Sequence, residues 1–227
     1  MTDQRQAPAA MDRIQQNWLA ASERKLLTWL CAHMPRSITP DILTTVGMIG
    51  AVMVFAGYVA SNLSSSWLLL TLAGYAVQWF GDSLDGSLAR YRRIERPSYG
   101  YFIDHSCDGL ANFLIVAGIG LSPFVTMDVA MIALTGYLLM SIHAFLAARV
   151  SGELRLSYMA FGPTELRLVL MGMTAMMMIL GPGRGMFGTL SGFDLLVGGI
   201  GAILIVLFIA QTLTTGRRLA AAEKIRR

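Results

Sequence analysis

Six apolar stretches, each about as long as a membrane is thick, dominate this 227-residue sequence. A helix needs about 20 apolar residues to cross the hydrocarbon core of a bilayer. The stretches lie at approximately residues 42–61, 66–88, 101–122, 125–148, 165–182 and 193–214. Short segments that contain turn-forming residues separate them, as expected for connections between antiparallel helices. The sequence therefore predicts an all-α integral membrane protein with six transmembrane helices.

The composition agrees with a membrane location. Hydrophobic residues make up 55% of the chain and charged residues 14%, whereas soluble domains carry about 25% charged residues. About the first forty residues show no apolar signal-peptide core ahead of a small-residue cleavage site, so no cleaved leader is predicted. Cys31 and Cys107 lack the spacing of a zinc site or a disulfide framework.

The segment before the first span has a different pattern. From about Met11 to Met34, tryptophans and leucines alternate with charges, which predicts an amphipathic helix lying along the membrane interface. The predicted organisation is a cytoplasmic N-terminal segment at 1–37, a transmembrane catalytic domain at 38–216 and a basic cytoplasmic tail at 217–227.

Basic residues are distributed unevenly between the two predicted sides. With six spans, all but one of the 18 Lys and Arg residues share a side with both termini, and the exception is Arg184. The positive-inside rule makes that side cytoplasmic, in a bacterial-type inner or plasma membrane. The net charge of +4 is thereby explained by the membrane surface, and no nucleic-acid partner is predicted.

Four aspartates interrupt the apolar stretches at set intervals. They occur in Asp82-x2-Asp85-Gly86-x2-Ala89-Arg90 and, after nine residues, in Gly100-x3-Asp104-x3-Asp108. In a helix, each set forms one continuous stripe, and the intervening segment is long enough to turn the chain so that the stripes face each other. A carboxylate at membrane depth costs a few kcal/mol or more, so four of them require a compensating partner.

Divalent cations are the partners that suit this arrangement. Convergent carboxylates can hold one or two Mg²⁺ or Mn²⁺ ions, and paired ions are a common clamp for displacement at phosphorus. Arg90 directly follows the first stripe and is a candidate phosphate ligand. Gly86, Ala89 and Gly100 are small, which predicts close helix approach and room for a ligand. Buried ion pairs or helix caps explain four interleaved aspartates less well.

At these residues the chain resembles the CDP-alcohol phosphotransferases, whose signature is Asp-x2-Asp-Gly-x2-Ala-Arg followed by Gly-x3-Asp-x3-Asp. Every fixed position of that signature is present. The resemblance implies a homodimeric membrane enzyme with two divalent metal ions. It makes Asp82, Asp85 and Asp104 metal ligands, and Asp108 both a metal neighbour and the general base.

The resemblance also suggests a nucleotide site. The segment Thr39-Pro40-Asp41-Ile42-Leu43-Thr44 is similar to the Pro-Asn-x-Leu-Thr stretch that lines the cytidine site in this family, with Asp41 in place of the common Asn. The same residues also form a good helix start. The candidates for nucleotide and phosphate binding are Asp82, Gly86, Ala89, Arg90, Gly100, Thr39, Pro40, Asp41 and Thr44.

The reaction implied is transfer of a substituted phosphate from a CDP-activated alcohol to a second hydroxyl, with release of CMP during phospholipid synthesis. CDP-diacylglycerol is the expected donor. The sequence around His105 also resembles choline and ethanolamine phosphotransferases, in which diacylglycerol is the acceptor, so that pairing stays open. Candidates on the acceptor side are Arg149, Arg155, Arg167 and His105. The arginines are equally well explained as positive-inside anchors.

A cation-coupled transporter is the alternative from another class. It explains intramembrane aspartates, but not the interleaved Gly, Ala and Arg or their clustering at one face. Transporters commonly show repeated halves with interrupted helices, and no internal repeat is evident in this sequence.

Overall fold

The computed structural model describes residues 20–151, 163–183 and 190–224. These ranges contain no β-strand, which confirms the predicted all-α class. The helices of the described ranges are α1 (Ala20–His33), α2 (Pro40–Ala60), α3 (Leu68–Arg92), α4 (Pro97–Leu121), α5 (Met127–Ser151), α6 (Pro163–Leu180) and α7 (Gly192–Lys224), with a 3-10 turn at Ser65–Trp67.

Five helices of the described ranges are long and apolar enough to cross a membrane, namely Pro40–Ala60, Pro97–Leu121, Met127–Val150, Pro163–Leu180 and Gly192–Ala222. Five such helices fit an integral membrane protein. The predicted second span corresponds to α3, which has 25 residues but carries Gln78, Asp82 and Asp85 and is therefore less apolar. The six-span count remains a prediction.

The two ends of the chain agree in part with the predicted segments. Helix α1 covers Ala20–His33 of the segment predicted to form an amphipathic helix, while the predicted beginning at 11–19 lies outside the described residues. Trp29 is exposed, and Cys31 is buried against Leu43, Leu84 and Leu88. Burial raises the pKa of the Cys31 thiol, as expected for a packing residue rather than a ligand. The predicted interfacial location and the domain boundaries remain predictions.

The last helix extends beyond the predicted last span. Helix α7 continues beyond residue 214 to Lys224, so the basic segment from 217 to 224 is helical. Its two arginines, Arg217 and Arg218, lie within a continuous helix rather than beyond a helix end. Residues 225–227 lie outside the described ranges.

Helices α2 and α3 pack with their backbones in close contact because glycines lie at the crossing. A Cβ atom built on Gly50 would lie 2.3 Å from the backbone nitrogen of Gln78, and one on Gly81 would lie 2.2 Å from that of Gly47. Small residues of this kind allow the close approach typical of membrane helix pairs. The sequence interpretation assigned close approach to Gly86 and Gly100 instead, and this was wrong. The atoms nearest a Cβ on Gly86 belong to Arg90, and nothing lies within 4 Å of one on Gly100.

Buried polar groups hold the bundle around this pair. The Tyr58 hydroxyl on α2 lies 2.7 Å from the Thr174 hydroxyl on α6 and 3.3 Å from that of Tyr75 on α3. Within a low-dielectric interior such hydrogen bonds are strong, and they fix which faces meet. Helix α4 packs on α2 and α5, and α7 packs on α5.

Glu23 connects α1 to two other helices through one carboxylate oxygen. Its Oε1 accepts a hydrogen bond from Trp79 Nε1 on α3 at 2.9 Å and another from the Thr164 hydroxyl at 2.7 Å. Thr164 is the second residue of α6, so this contact fixes the N-terminal turn of α6 relative to α3.

The close α2–α3 crossing predicts the effect of adding a methyl group. Gly50→Ala should lower the free energy of unfolding by about 1–3 kcal/mol, because the new Cβ meets backbone that cannot move aside cheaply. Gly172→Ala is the matched control, since a Cβ at Gly172 meets nothing within 4 Å. Thermal unfolding in detergent measures both variants. Equal melting temperatures for the two would contradict the packing argument.

The Glu23 contacts make a second stability prediction. Glu23→Ala removes the acceptor for both hydrogen bonds and should cost about 1–3 kcal/mol, seen as a lower melting temperature in detergent. Glu23→Gln retains a carbonyl oxygen as acceptor and should lose clearly less. If the two variants unfold at the same temperature, the Oε1 contacts do not hold α1 in place.

Candidate functional site

One pocket collects all four motif aspartates. It is enclosed by three helices, and its lining residues are Thr44, Gly47, Met48, Gln78, Asp82, Asp85, Asp104, Cys107, Asp108 and Ala111. The sequence predicts two facing stripes of aspartates, and these lie on α3 and α4. The structure adds α2 as a third wall, because α2 packs against both of these helices.

Asp85 is the most buried of the four carboxyl groups. Its Oδ2 accepts a hydrogen bond from the Thr44 hydroxyl on α2 at 2.7 Å, and its Oδ1 accepts one from the Gly86 backbone N–H at 2.5 Å. Two donors on one carboxylate hold its orientation and offset part of the cost of burying it. Thr44 was predicted as a nucleotide contact, and the structure places its hydroxyl on Asp85.

Asp82 forms an ion pair with Arg167 of α6. The Arg167 side chain is only 12% exposed, so this is a largely buried cation within the aspartate cluster. From the sequence, Arg167 is either a candidate contact for the acceptor substrate or a positive-inside membrane anchor. Its burial in the bundle does not fit a simple surface anchor, and its pairing with Asp82 could not be read from a separation of 85 residues.

Asp104 and Asp108 flank His105. The Nδ1 atom of His105 lies 3.8 Å from an Oδ2 of each carboxylate. One ligand atom from each of the three side chains lies within 4.8 Å of the others, a spacing that a metal ion could occupy. The imidazole ring packs edge-on against Tyr101, with centroids 4.4 Å apart, and also against Phe145. His105 is thus held in place by aromatic packing beside the carboxylates.

Asp108 lies on the most open part of the cluster. Its side chain is 40% exposed, compared with 25% for Asp104 and 24% for Asp82. The backbone carbonyl of Asp108 accepts a hydrogen bond from Asn112, whose amide also donates to the Tyr137 hydroxyl on α5. These contacts steady the helix at Asp108 while leaving its carboxylate accessible.

Of the predicted nucleotide residues at the start of α2, Thr44 lines the pocket, whereas Thr39, Pro40 and Asp41 do not. Thr39 caps α2 by accepting a hydrogen bond from the Ile42 N–H at 3.3 Å, and Pro40 occupies the first helical turn. The helix-start interpretation therefore accounts for both. Asp41 pairs with Arg96, and both side chains are about half exposed.

The small motif residues and Arg90 also lie outside the pocket lining. The Arg90 guanidinium passes over Gly86 and contacts the Ser87 hydroxyl at 3.3 Å. Ala89 is half-buried and Gly100 is exposed. Arg149 is exposed near the end of α5, and Arg155 lies outside the described residues.

Arginine 92 has a structural role that sequence reasoning missed. Its guanidinium donates hydrogen bonds to the backbone carbonyls of Met34, Pro35 and Ile38. It therefore holds the α1–α2 connection against the end of α3, in addition to lying on the predicted cytoplasmic side with the other basic residues.

The donor set fits hard divalent cations. Four carboxylates meet in the pocket, and Arg167 is the ion-paired guanidinium among the described residues that contacts them. Mg²⁺ and Mn²⁺ prefer oxygen ligands, and a surplus of negative charge in a partly apolar setting favours a bound cation. Both sulfur and nitrogen are present, in Cys107 and His105, but the oxygens predominate.

Comparison with known proteins identifies the family. Residues 37–214 match the CDP-alcohol phosphatidyltransferase family. The chain belongs to that family. The expected resemblance is therefore confirmed over most of the chain, including both aspartate motifs and every described helix from α2 to α6.

Individual relatives are more distant and match only part of the chain. Archaetidylinositol phosphate synthases of Methanothermobacter thermautotrophicus and Pyrococcus horikoshii are 30% and 32% identical over 105 and 104 residues, which cover 46% of this chain. The matches span 51% and 52% of those proteins. Cholinephosphotransferase 1 of Danio rerio is 24% identical over 122 residues, 48% of this chain and 32% of its own. The chain spans about half or less of the curated relatives it matches.

The contact between Thr44 and Asp85 makes a prediction about metal binding. Thr44→Val should weaken Mn²⁺ binding by about tenfold or more, because groups that orient a metal ligand typically contribute that much. Thr44→Ser should restore binding. Electron paramagnetic resonance of free Mn²⁺ measures the affinity.

Thr45→Val is the control for that experiment. The Thr45 hydroxyl donates to the Asp41 carbonyl of its own helix at 2.9 Å and does not line the pocket. Unchanged Mn²⁺ affinity in Thr44→Val, with weaker binding of the CDP-alcohol, would instead favour the nucleotide role that the sequence suggested.

Proposed function

We propose that this protein transfers a substituted phosphate from a CDP-activated alcohol to the hydroxyl of a second alcohol, in phospholipid synthesis. CDP-diacylglycerol is the proposed donor and CMP the leaving product. The observation that carries the proposal is the convergence of Asp82, Asp85, Asp104 and Asp108 in one pocket. Membership of the family supports the reaction class.

Asp108 is the proposed general base. Its carboxylate is more exposed than those of Asp104 and Asp82, so an incoming hydroxyl can reach it. In the proposed step the hydroxyl gives its proton to Asp108 while its oxygen bonds to the phosphorus that bears the donor alcohol. The bond from that phosphorus to the CMP phosphate oxygen breaks, and CMP leaves with those electrons.

Asp82, Asp85 and Asp104, together with Asp108, would hold two Mg²⁺ or Mn²⁺ ions. Bound there, the ions would neutralise charge on the pyrophosphate oxygens during displacement. Thr44 orients Asp85 for this role, and His105, packed against Tyr101, lies beside the carboxylates of Asp104 and Asp108. Arg90, beside Gly86 at the end of α3, is a proposed phosphate contact.

A phosphorylated polar acceptor suits the positively charged guanidinium of Arg167 inside the site. Arg167 already lies in the aspartate cluster, and a guanidinium is well suited to a phosphate group. The two archaeal relatives are named as synthases of archaetidylinositol phosphate, which agrees with an acceptor of this kind. The fish relative, named a cholinephosphotransferase, keeps the CDP-choline and diacylglycerol pairing as the second candidate.

The proposed setting is the cytoplasmic face of a bacterial-type inner membrane, with both termini on that side. Positive charge on the predicted cytoplasmic segments supports this orientation. There a lipid held in the bilayer and a polar reactant from the cytosol can meet. A homodimer is proposed from the family resemblance.

Release of CMP by purified protein tests the reaction. Wild-type protein in detergent with Mg²⁺ or Mn²⁺ is given CDP-diacylglycerol, CDP-choline or CDP-ethanolamine, each with polar acceptors, their phosphates or diacylglycerol. We expect CMP from CDP-diacylglycerol only when a phosphorylated acceptor is present. Asp108→Asn should reduce the rate by at least about a hundredfold, while nucleotide binding is retained.

Asp128→Asn is the matched control, because Asp128 is an exposed acid in the first turn of α5 outside the pocket. It should keep the wild-type rate. CMP release from CDP-choline with diacylglycerol would replace the donor assignment by the second candidate. Folded, metal-binding protein that releases no CMP but carries metal-dependent ion flux in liposomes would favour a transporter.

A further inference from the structure

Gln78 lies in the aspartate pocket without a hydrogen-bond partner for its amide oxygen. It is one helical turn before Asp82 and two before Asp85, on the same face of α3. The residue lines the pocket and is only 4% exposed. Within the part of the chain that the structure describes, Oε1 has no donor.

Such an oxygen is costly to leave unpaired. An unsatisfied buried polar group costs about 1–3 kcal/mol, and folded proteins contain few of them. Relief by a shift of the backbone is blocked, because α2 at Gly50 lies directly against the Gln78 backbone. The position thus points to an occupant that binds the oxygen when the site is in use.

The surroundings define the chemistry of that occupant. An amide oxygen accepts hydrogen bonds or coordinates cations, and it cannot donate. The carboxylates that share the pocket repel an anion. A hard divalent cation, or a water molecule polarised by one, satisfies both the oxygen and the carboxylates, and amide carbonyls are ordinary ligands for such ions.

We propose that Gln78 is a further oxygen donor of the metal site, which binds a divalent cation or the water that it carries. The inference rests on the proposed metal-dependent function and extends it to a residue outside the aspartate motifs. Gln78 adds a neutral donor at the α2–α3 wall of a pocket whose other donors to the cation are charged.

Thr71 shows why the position in the pocket matters. Its hydroxyl oxygen is also buried and unpaired among the described residues, on the same helix. Thr71 faces Gly57 of α2 and does not line the pocket, so a metal ion has no access to it. It provides a control with the same kind of buried polar atom and no role at the site.

Mn²⁺ binding to the purified full-length protein tests the proposal, measured by electron paramagnetic resonance of free Mn²⁺. Gln78→Leu, of similar size, should weaken binding about tenfold, by analogy with other groups that support a metal site. Gln78→Glu should bind at least as tightly as wild type, because it keeps an oxygen and adds charge. Thr71→Val should bind as wild type does.

A second readout separates a site role from a structural one. Without metal, Gln78→Leu should melt at a higher temperature than wild type, since it removes an unpaired buried oxygen. Added Mn²⁺ should then raise the melting temperature of Gln78→Leu less than that of wild type. If Gln78→Leu does not fold, Gln78→Asn, which withdraws the oxygen by one methylene, should show the weaker binding.

The failure of this inference differs from failure of the proposed function. If the Gln78 variants bind Mn²⁺ as wild type does while Asp82→Asn loses it, Gln78 is not part of the metal site and the proposed function stands. If wild-type protein binds no Mn²⁺, or if Asp82→Asn binds it equally well, the aspartate pocket is not a metal site and both are overturned.

Discussion

The close contact between α2 and α3 is the interaction on which the site depends. Gly50 and Gly81 bring the two backbones within a distance that any side chain at these positions would prevent. Because of this contact, Thr44 of α2 reaches Asp85 of α3, and Gln78 is held against the α2 backbone. Membrane helices gain little from the hydrophobic effect when they associate, so close packing of small residues is a main source of their affinity.

Electrostatics explains why these aspartates are kept in a largely apolar bundle. Burying carboxylates is unfavourable unless charge or hydrogen bonds compensate. Thr44, the Gly86 N–H and Arg167 compensate Asp85 and Asp82 in part. Negative charge remains in excess, and the proposed divalent cations account for it. According to this proposal, the protein without metal is less stable because its buried carboxylates lack a compensating charge. The same carboxylates give the site a high affinity for the metal.

The link between α1 and the site runs through α6. Glu23 holds the first turn of α6 at Thr164, and Arg167 follows within the same turn of that helix. The position of the guanidinium beside Asp82 therefore depends on contacts made by α1, a helix predicted to lie at the membrane interface. Arg92 adds to this by holding the α1–α2 connection against the end of α3.

Much of the fold and the centre of the site follow from the sequence, because they rest on local periodicity. The helical class comes from long apolar runs, and the aspartates share faces because their spacings match the helical repeat. Glycines spaced by seven residues indicate the tight crossing: Gly50 and Gly57 in α2, and Gly74 and Gly81 in α3. Gln78 lies four residues before Asp82, and this spacing places both on one face of α3. Those two signals were present in the sequence and were missed.

Other features depend on tertiary contacts and could not be read from the sequence. The pairing of Arg167 with Asp82 joins residues far apart in the chain, and the carbonyls that Arg92 binds are defined only by the folded α1–α2 connection. Thr39 and Asp41 remain predicted nucleotide contacts, and the structure gives them a capping hydrogen bond and an ion pair, because a helix start and a ligand-binding segment share the same residue types.

Anomalous X-ray diffraction from crystals grown with Mn²⁺ tests directly whether the aspartate pocket holds a pair of metal ions. We expect two strong peaks about 3.5–4 Å apart within the pocket, in contact with the carboxylates of Asp82, Asp85, Asp104 and Asp108. Binding of these ions should also separate Arg167 from Asp82. Well-ordered crystals with no Mn²⁺ peak in this pocket, or with Mn²⁺ bound only elsewhere, would contradict it.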